Sequence, residues 1–133
     1  MRNRLWIVFW ILGILFPIAF LSHFWPPFGR LFDTVFSPDW IHIAMHAFLY
    51  AVLALLLAQW IKPVSLKAVA SILALALVIG CIQEWLQGLS PGHGFTWPAA
   101  AFDLRVDAGG TAIGLTVAWR LSLRRTPVPI DRE

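Results

Sequence analysis

The sequence predicts an all-α protein built as a bundle of four membrane-spanning helices. Its 133 residues are 59% hydrophobic, or roughly 66% with its nine glycines included, and only 13% charged, whereas soluble domains are about 45–50% apolar with glycine included and about 25% charged. Four apolar runs are separated by prolines and polar residues, and the basic residues lie mainly on one side of these runs. This composition argues against a soluble domain. It also argues against nucleic-acid binding despite the net charge of +3, because such binding requires a solvated basic surface.

The first run, residues 5–21, follows two arginines and contains Pro17. Proline is tolerated in membrane helices, so we expect a kink and not an interruption. No small-residue cleavage site follows the run, which favours an uncleaved helix over a signal peptide. The second and third runs, residues 40–61 and 68–86, reach the length of about 20 residues that a span requires.

The fourth run, residues 103–123, is the least apolar. It includes Asp103 and Asp107 at one end and Arg120 at the other, and a long arginine side chain can extend to the membrane surface. We therefore interpret residues 1–123 as one transmembrane bundle and residues 124–133 as a basic cytoplasmic tail.

The basic residues predict the orientation, because cytoplasmic loops are enriched in Lys and Arg. Only Arg30 and Arg105 fall on one side of the four spans, and the other eight fall on the opposite side: Arg2, Arg4, Lys62, Lys67, Arg120, Arg124, Arg125 and Arg132. Both termini are thus predicted to be cytoplasmic, with loops 22–39 and 88–102 outside. The apolar segment 95–102 either lies flat at the interface or folds back into the bundle. Six tryptophans fall near the predicted helix ends or in outer loops: Trp25, Trp40, Trp60, Trp85, Trp97 and Trp119.

Polar residues recur at helical spacing within three of the runs, so that each set shares one helix face. The second run carries Asp39, His42, His46 and Tyr50, the third carries Gly80, Glu84 and Gln87, and the fourth carries Asp103, Asp107, Gly110 and Gly114. Gln83 is interpreted as pointing away from the face of Gln87. With a rise of about 1.5 Å per residue, His46, Glu84 and Asp107 lie roughly 6 to 9 Å inside the outer helix ends. The sequence therefore predicts an acidic, imidazole-bearing pocket that opens to the extracytoplasmic side.

Taken in order and spacing, these motifs resemble the signature of the VanZ-like family of integral membrane proteins over residues 42–114. The resemblance is carried by His46, Tyr50 and Leu53, by Gly80, Glu84 and Gln87, by Pro91-Gly92, and by Asp103, Asp107, Gly110 and Gly114. It implies a multi-pass protein of the bacterial inner membrane, linked to the cell envelope and, in the name-giving member, to antibiotic resistance against the glycopeptide teicoplanin. The chain departs from the family pattern at His42, Ile43, His93 and Asp107.

Three interpretations of the buried polar residues are possible. In the first, His46, Tyr50, Glu84, Gln87, Asp103 and Asp107 bind a lipid-linked or glycopeptide-related envelope ligand or handle protons, with Glu84 or Asp107 as the base of an enzymatic version. In the second, the chain is a proton- or ion-coupled carrier that acts as a homodimer. In the third, the chain is a structural or partner-binding subunit in which the same side chains form hydrogen bonds between helices, and Asp103 caps the fourth helix.

Three further expectations concern packing and partners. Gly80, Gly110 and Gly114 are expected to let helices approach closely within the bundle, with dimerisation as the alternative for Gly110 and Gly114. His42 and His46 have a spacing that suits a metal, and Glu84 or Asp107 could complete its ligand shell. We nevertheless expect no metal, because no third histidine or cysteine is positioned with them, and we expect no cofactor. Membrane lipid is an expected partner.

Overall fold

The structure, a computed structural model, describes residues 2–16, 25, 27, 30–31, 34, 38–61, 65–89 and 95–123. Four helices account for most of them: α1 (Arg2–Leu15), α2 (Asp39–Trp60), α3 (Leu66–Gly88) and α4 (Trp97–Leu123). Positions 27, 30, 31 and 34 are also helical, and the described residues contain no strand. The all-α prediction is confirmed for this part of the chain.

Local sequence explains where α1, α2 and α3 begin and end. α1 stops at Leu15 and Phe16 forms a bend, as expected for a residue that precedes a proline; the rest of the expected first span, from residue 17, lies outside the described residues. α2 begins directly after Pro38 and ends one residue before Ile61, whose N–H bonds the Leu57 carbonyl at 2.9 Å. At the start of α3 the Ser65 hydroxyl accepts a hydrogen bond of 3.2 Å from the N–H of Ala68, a standard N-cap.

α4 begins six residues earlier than predicted, at Trp97 instead of Asp103. Residues 97–102 therefore form the first turns of α4. Pro98 does not prevent this, because a proline in the first helical turn lacks an N–H that would have no partner there. Asp103 consequently lies in the second turn of α4, which excludes the predicted capping role.

Contacts between helices define their relative directions. The Arg4 guanidinium lies over the Trp60 ring, and the Trp10 indole N–H donates to the Leu49 carbonyl at 2.8 Å, so α1 and α2 are antiparallel. α2 and α4 run parallel, because His42 lies beside Asp103 and His46, one turn further along α2, lies beside Asp107. α3 runs antiparallel to α4, since Gly88 lies beside Phe95 while Gly80 lies beside Leu104.

α2 and α4 form the closest helix pair in the described part of the chain. A Cβ added at Gly110 would collide with the backbone of Ala47, and one added at Gly114 would collide with the backbone of Ala51. Both glycines are buried and face α2 within the same chain. Glycine is required here because only hydrogen fits between the two backbones.

The interior of the bundle divides into an apolar half and a polar half. The apolar half lies where α2 ends and α3 begins, and includes Leu53, Leu57, Ile72, Ala76 and Ala118. The polar half lies where α2 and α4 begin, and buries His46, Gln83, Glu84, Asp103, Asp107 and Thr111. Large apolar side chains lie on the outer surface, among them Phe48, Val78, Ile82, Ile113 and Val117.

Among the described helices, α2 and α3 have the length and composition to cross a membrane. The described part of α1 has 14 residues, and α4 has 27 residues, or about 40 Å at 1.5 Å per residue. α4 also contains Asp103, Arg105 and Asp107, which lower its apolar character. The described residues thus contain two helices that could cross a membrane by their length and composition.

Candidate functional site

The polar half of the bundle contains a series of three side-chain pairs, which we call the polar column. Its α2 members are His42, His46 and Tyr50, each four residues after the last and therefore on one helix face. Each has a partner on another helix: His42 pairs with Asp103, His46 with Asp107 and Tyr50 with Gln83. The column thus links α2 to α4 through its first two pairs and to α3 through its third.

The two histidine–carboxylate pairs are one helical turn apart on parallel helices. His42 Nε2 lies 3.3 Å from Asp103 Oδ1, and His46 Nδ1 lies 2.9 Å from Asp107 Oδ1. The partners are separated by the same 61 residues in both pairs, which is the register expected when two helices run parallel. The histidine rings are themselves in contact, with centroids 4.5 Å apart.

The third pair is buried and neutral. The Tyr50 hydroxyl donates to Gln83 Oε1 at 2.9 Å. This corrects the interpretation of Gln83 as facing away, because residues four apart on a helix differ by only about 40° in direction. Gln87, the glutamine predicted to belong to the site, is only half-buried and joins none of the three pairs.

Gly80 creates the space in which the second and third pairs meet. A Cβ at this position would lie 2.9 Å from Asp107 Oδ2, 3.4 Å from the Tyr50 hydroxyl and 2.8 Å from Leu104. The missing side chain of Gly80 therefore brings the free oxygen of Asp107 close to α3. Any larger residue would push α3 away from both polar groups.

Three buried oxygen atoms beside the column have no hydrogen-bond partner among the described residues: Glu84 Oε1, Asp107 Oδ2 and Thr111 Oγ1. Glu84 follows Gly80 by one helical turn on α3 and therefore lies on the face that packs against Asp107. Unsatisfied buried polar atoms are costly, at about 1–3 kcal/mol each. Their concentration in one region is typical of a place that receives a ligand, a proton, a water molecule or an ion.

Access to the column decreases along its length. The side chain of His42 is 46% exposed and that of Asp103 is 12% exposed, whereas those of His46 and Asp107 are 5% and 1% exposed. Tyr50 is fully buried. The column therefore has one open end, at the start of α2 and α4, and one closed end against the apolar half of the bundle.

Most of the predicted site residues come together, and two do not. His46, Tyr50, Asp103 and Asp107 are members of the column, and Glu84 lies beside it. Asp39 is exposed at the start of α2 and Gln87 lies outside the column. His93 lies outside the described residues.

Gln83 and Thr111 belong to the polar region but were missed as site residues. Thr111 follows Asp107 by four residues, and Gln83 precedes Gln87 by four. The four-residue helical spacing that predicted Asp107 and Gln87 as site residues therefore also points to Thr111 and Gln83.

Comparisons with known proteins do not identify this arrangement. The chain matches no family model, no curated protein and no solved structure.

Proposed function

We propose that the chain is a multi-pass protein of the bacterial inner membrane that binds a cell-envelope ligand at the open end of the polar column. The observation that carries this proposal is the column itself. Two histidine–carboxylate pairs and three unpartnered oxygens lie inside a bundle whose outer surface is rich in large apolar side chains. Ionisable groups are expensive in a membrane interior and usually mark a functional site there.

Exposed tryptophans support a membrane setting with four spans. Trp40, Trp60, Trp85, Trp97 and Trp119 all lie at or near helix ends and are all exposed. Indole rings favour the two membrane interfaces, so tryptophans at both ends of a bundle are typical of a spanning protein. In this arrangement α4 crosses at a tilt, since its length of about 40 Å exceeds the hydrocarbon thickness of about 30 Å.

Charge supports an orientation with the open end of the column outside. Arg4, Lys67 and Arg120 lie at the end of the bundle away from the column, whereas Arg105 is the basic residue of α4 at the column end. Cytoplasmic ends carry the excess of basic residues. We therefore place both termini in the cytoplasm and the open end of the column in the outer leaflet.

The chemistry of the column restricts the ligand. Its unpartnered carboxylate oxygens accept hydrogen bonds or positive charge, so a ligand that presents amines or hydroxyls fits better than an anionic one. The resemblance to VanZ-like proteins motivates the choice of a lipid-linked or glycopeptide-related molecule. The half-exposed pair of His42 and Asp103 would meet this ligand first.

The test is the effect of Glu84→Gln on growth in teicoplanin. Expression of the unchanged chain in a susceptible bacterium should raise the tolerated concentration, and Glu84→Gln should abolish this gain, because it replaces an anionic acceptor with a neutral amide. Asp39→Asn is the matched control, since Asp39 is exposed at the start of α2. If Glu84→Gln protected as well as the unchanged chain at equal abundance, the proposed ligand site would be wrong.

A second candidate function, a proton-coupled carrier, is favoured by the gradient of exposure along the column. Three titratable side chains at four-residue spacing lead from the open end into the bundle, which is an arrangement suited to proton relay. Four spans are few for a carrier, so this function requires a homodimer. Proton uptake into liposomes by a dimeric sample would support it, and a strictly monomeric protein in detergent would count against it.

A further inference from the structure

We infer that His42, His46 and Asp103 form a binding site for a divalent transition-metal ion at the open end of the polar column. Each of these residues offers one ligand atom, and the three atoms lie within 4.8 Å of one another. Two imidazoles and one carboxylate are a common ligand set for Zn²⁺ and for non-haem Fe²⁺, and such sites leave a coordination position open. The sequence provides the spacing of His42 and His46 and suggests Glu84 or Asp107 as the carboxylate ligand, whereas the structure brings Asp103 of α4 to the two histidines.

The parallel packing of α2 and α4 creates the site. His42 and His46 are one turn apart on α2, which places two imidazoles side by side. Any side chain at Gly110 would collide with the backbone of Ala47. The α4 backbone therefore lies very close to the α2 backbone beside His46. That approach brings Asp103 to within 3.3 Å of His42.

Asp107 fits the role of the group that orients a metal-binding histidine. It holds His46 through Nδ1 at 2.9 Å, which leaves Nε2 as the nitrogen that binds the metal. A carboxylate behind a histidine ligand fixes the ring and increases its basicity, and its loss typically weakens metal affinity by about 10–100-fold.

Glu84 provides an independent indication of positive charge at this place. Its Oε1 atom is buried without a partner, and the residue is only 8% exposed. Three buried carboxylates, Glu84, Asp103 and Asp107, thus share the polar half of the bundle with two histidines, with no Lys or Arg among their described hydrogen-bond or ion-pair partners. A bound dication would compensate this excess of negative charge.

The metal site lies in the same polar column as the proposed ligand site. The inference rests on the proposed function only for the side of the membrane on which the open end of the column lies. Metal binding is therefore measured on the purified full chain in detergent, with no envelope ligand present. Zn²⁺ is titrated by calorimetry after treatment with a chelator and dialysis. We expect one Zn²⁺ per chain. Absence of stoichiometric binding would overturn the inference while leaving the teicoplanin test unaffected.

Variants assign the ligands. Replacing any one ligand should abolish the binding of Zn²⁺, as tested by His42→Ala, His46→Ala and Asp103→Asn. Asp107→Asn should still bind one Zn²⁺ per chain, with about 10–100-fold weaker affinity. Asp39→Asn, a loss of the same charge at the exposed start of α2, should bind like the unchanged chain. Binding that survives all three ligand substitutions would contradict the assignment.

A measurement on the unchanged chain covers the case in which a variant does not fold. The half-exposed His42 should react with diethyl pyrocarbonate, and peptide mass spectrometry can quantify the modification of this residue. Zn²⁺ should suppress modification of His42, while Mg²⁺, which prefers oxygen ligands, should not. Equal modification with and without Zn²⁺ would exclude His42 as a ligand.

Discussion

The close packing of α2 on α4 positions the polar column, and Gly110→Ala tests this directly. The added Cβ would lie 2.8 Å from Ala47 Cα, and ordinary contact begins at 3.4 Å. The Ala47 carbonyl oxygen would lie closer still, so the helices must separate by more than about 0.6 Å, the difference of these two distances. A shift of this size would stretch the 2.9 Å bond between His46 and Asp107 to more than about 3.5 Å, beyond the outer limit of a hydrogen bond.

Gly109→Ala is the matched control, because a Cβ there meets nothing within 4 Å. Both substitutions gain the same helix propensity, about 0.5–1 kcal/mol. The difference between the two variants is therefore the overpacking cost alone, about 1–3 kcal/mol.

The assay is unfolding in mixed micelles of increasing SDS content, followed by circular dichroism. Gly110→Ala should unfold at a lower SDS content than Gly109→Ala. Its free energy of unfolding should be lower by about 1–3 kcal/mol. If the two variants unfolded at the same SDS content, α2 and α4 would not pack as described.

Three further predictions concern the column. Gly80→Ala should destabilise the bundle by about 1–3 kcal/mol in the same unfolding assay, because its Cβ would lie 2.9 Å from Asp107 Oδ2; stability equal to that of Gly109→Ala would refute the contact. Tyr50→Phe should lower the free energy of unfolding by about 1–3 kcal/mol, because it leaves the buried Gln83 Oε1 without its donor. Combining it with Gln83→Leu should recover part of this loss in stability. Strictly additive losses in the double variant would argue against the hydrogen bond. Asp107→Asn should weaken the folded state less than Asp107→Ala, because asparagine still bonds His46; equal losses in the two variants would contradict a role for that bond.

The helical class and most of the column follow from spacing and composition. Long apolar runs predict helices because the backbone must satisfy its own hydrogen bonds in an apolar surrounding. His46, Glu84 and Asp107 were predicted to share one region because their positions within each run place them at one depth, and Tyr50 was predicted to share the helix face of His46. This reasoning needs only the helical repeat and rise.

The partners within the column could not be predicted, because they depend on the rotation and register of each helix. The choice of Gln83 over Gln87 as the partner of Tyr50 depends on the position of α3 to within one turn. The pairing of His42 with Asp103 required α4 to begin well before Asp103. A proline at position 98 suggested a loop there, although it is compatible with a first helical turn.

The central claim, a polar column inside a membrane bundle with its open end outside, is tested most directly by labelling the two ends of α4. Thr96→Cys and Ser122→Cys introduce thiols at two exposed hydroxyl positions, in a chain whose exposed Cys81 is first replaced by alanine. A membrane-impermeant maleimide should label the Thr96→Cys variant in intact cells and the Ser122→Cys variant only after permeabilisation. Labelling of both variants in intact cells, or of the Ser122→Cys variant alone, would contradict the proposed orientation of the column.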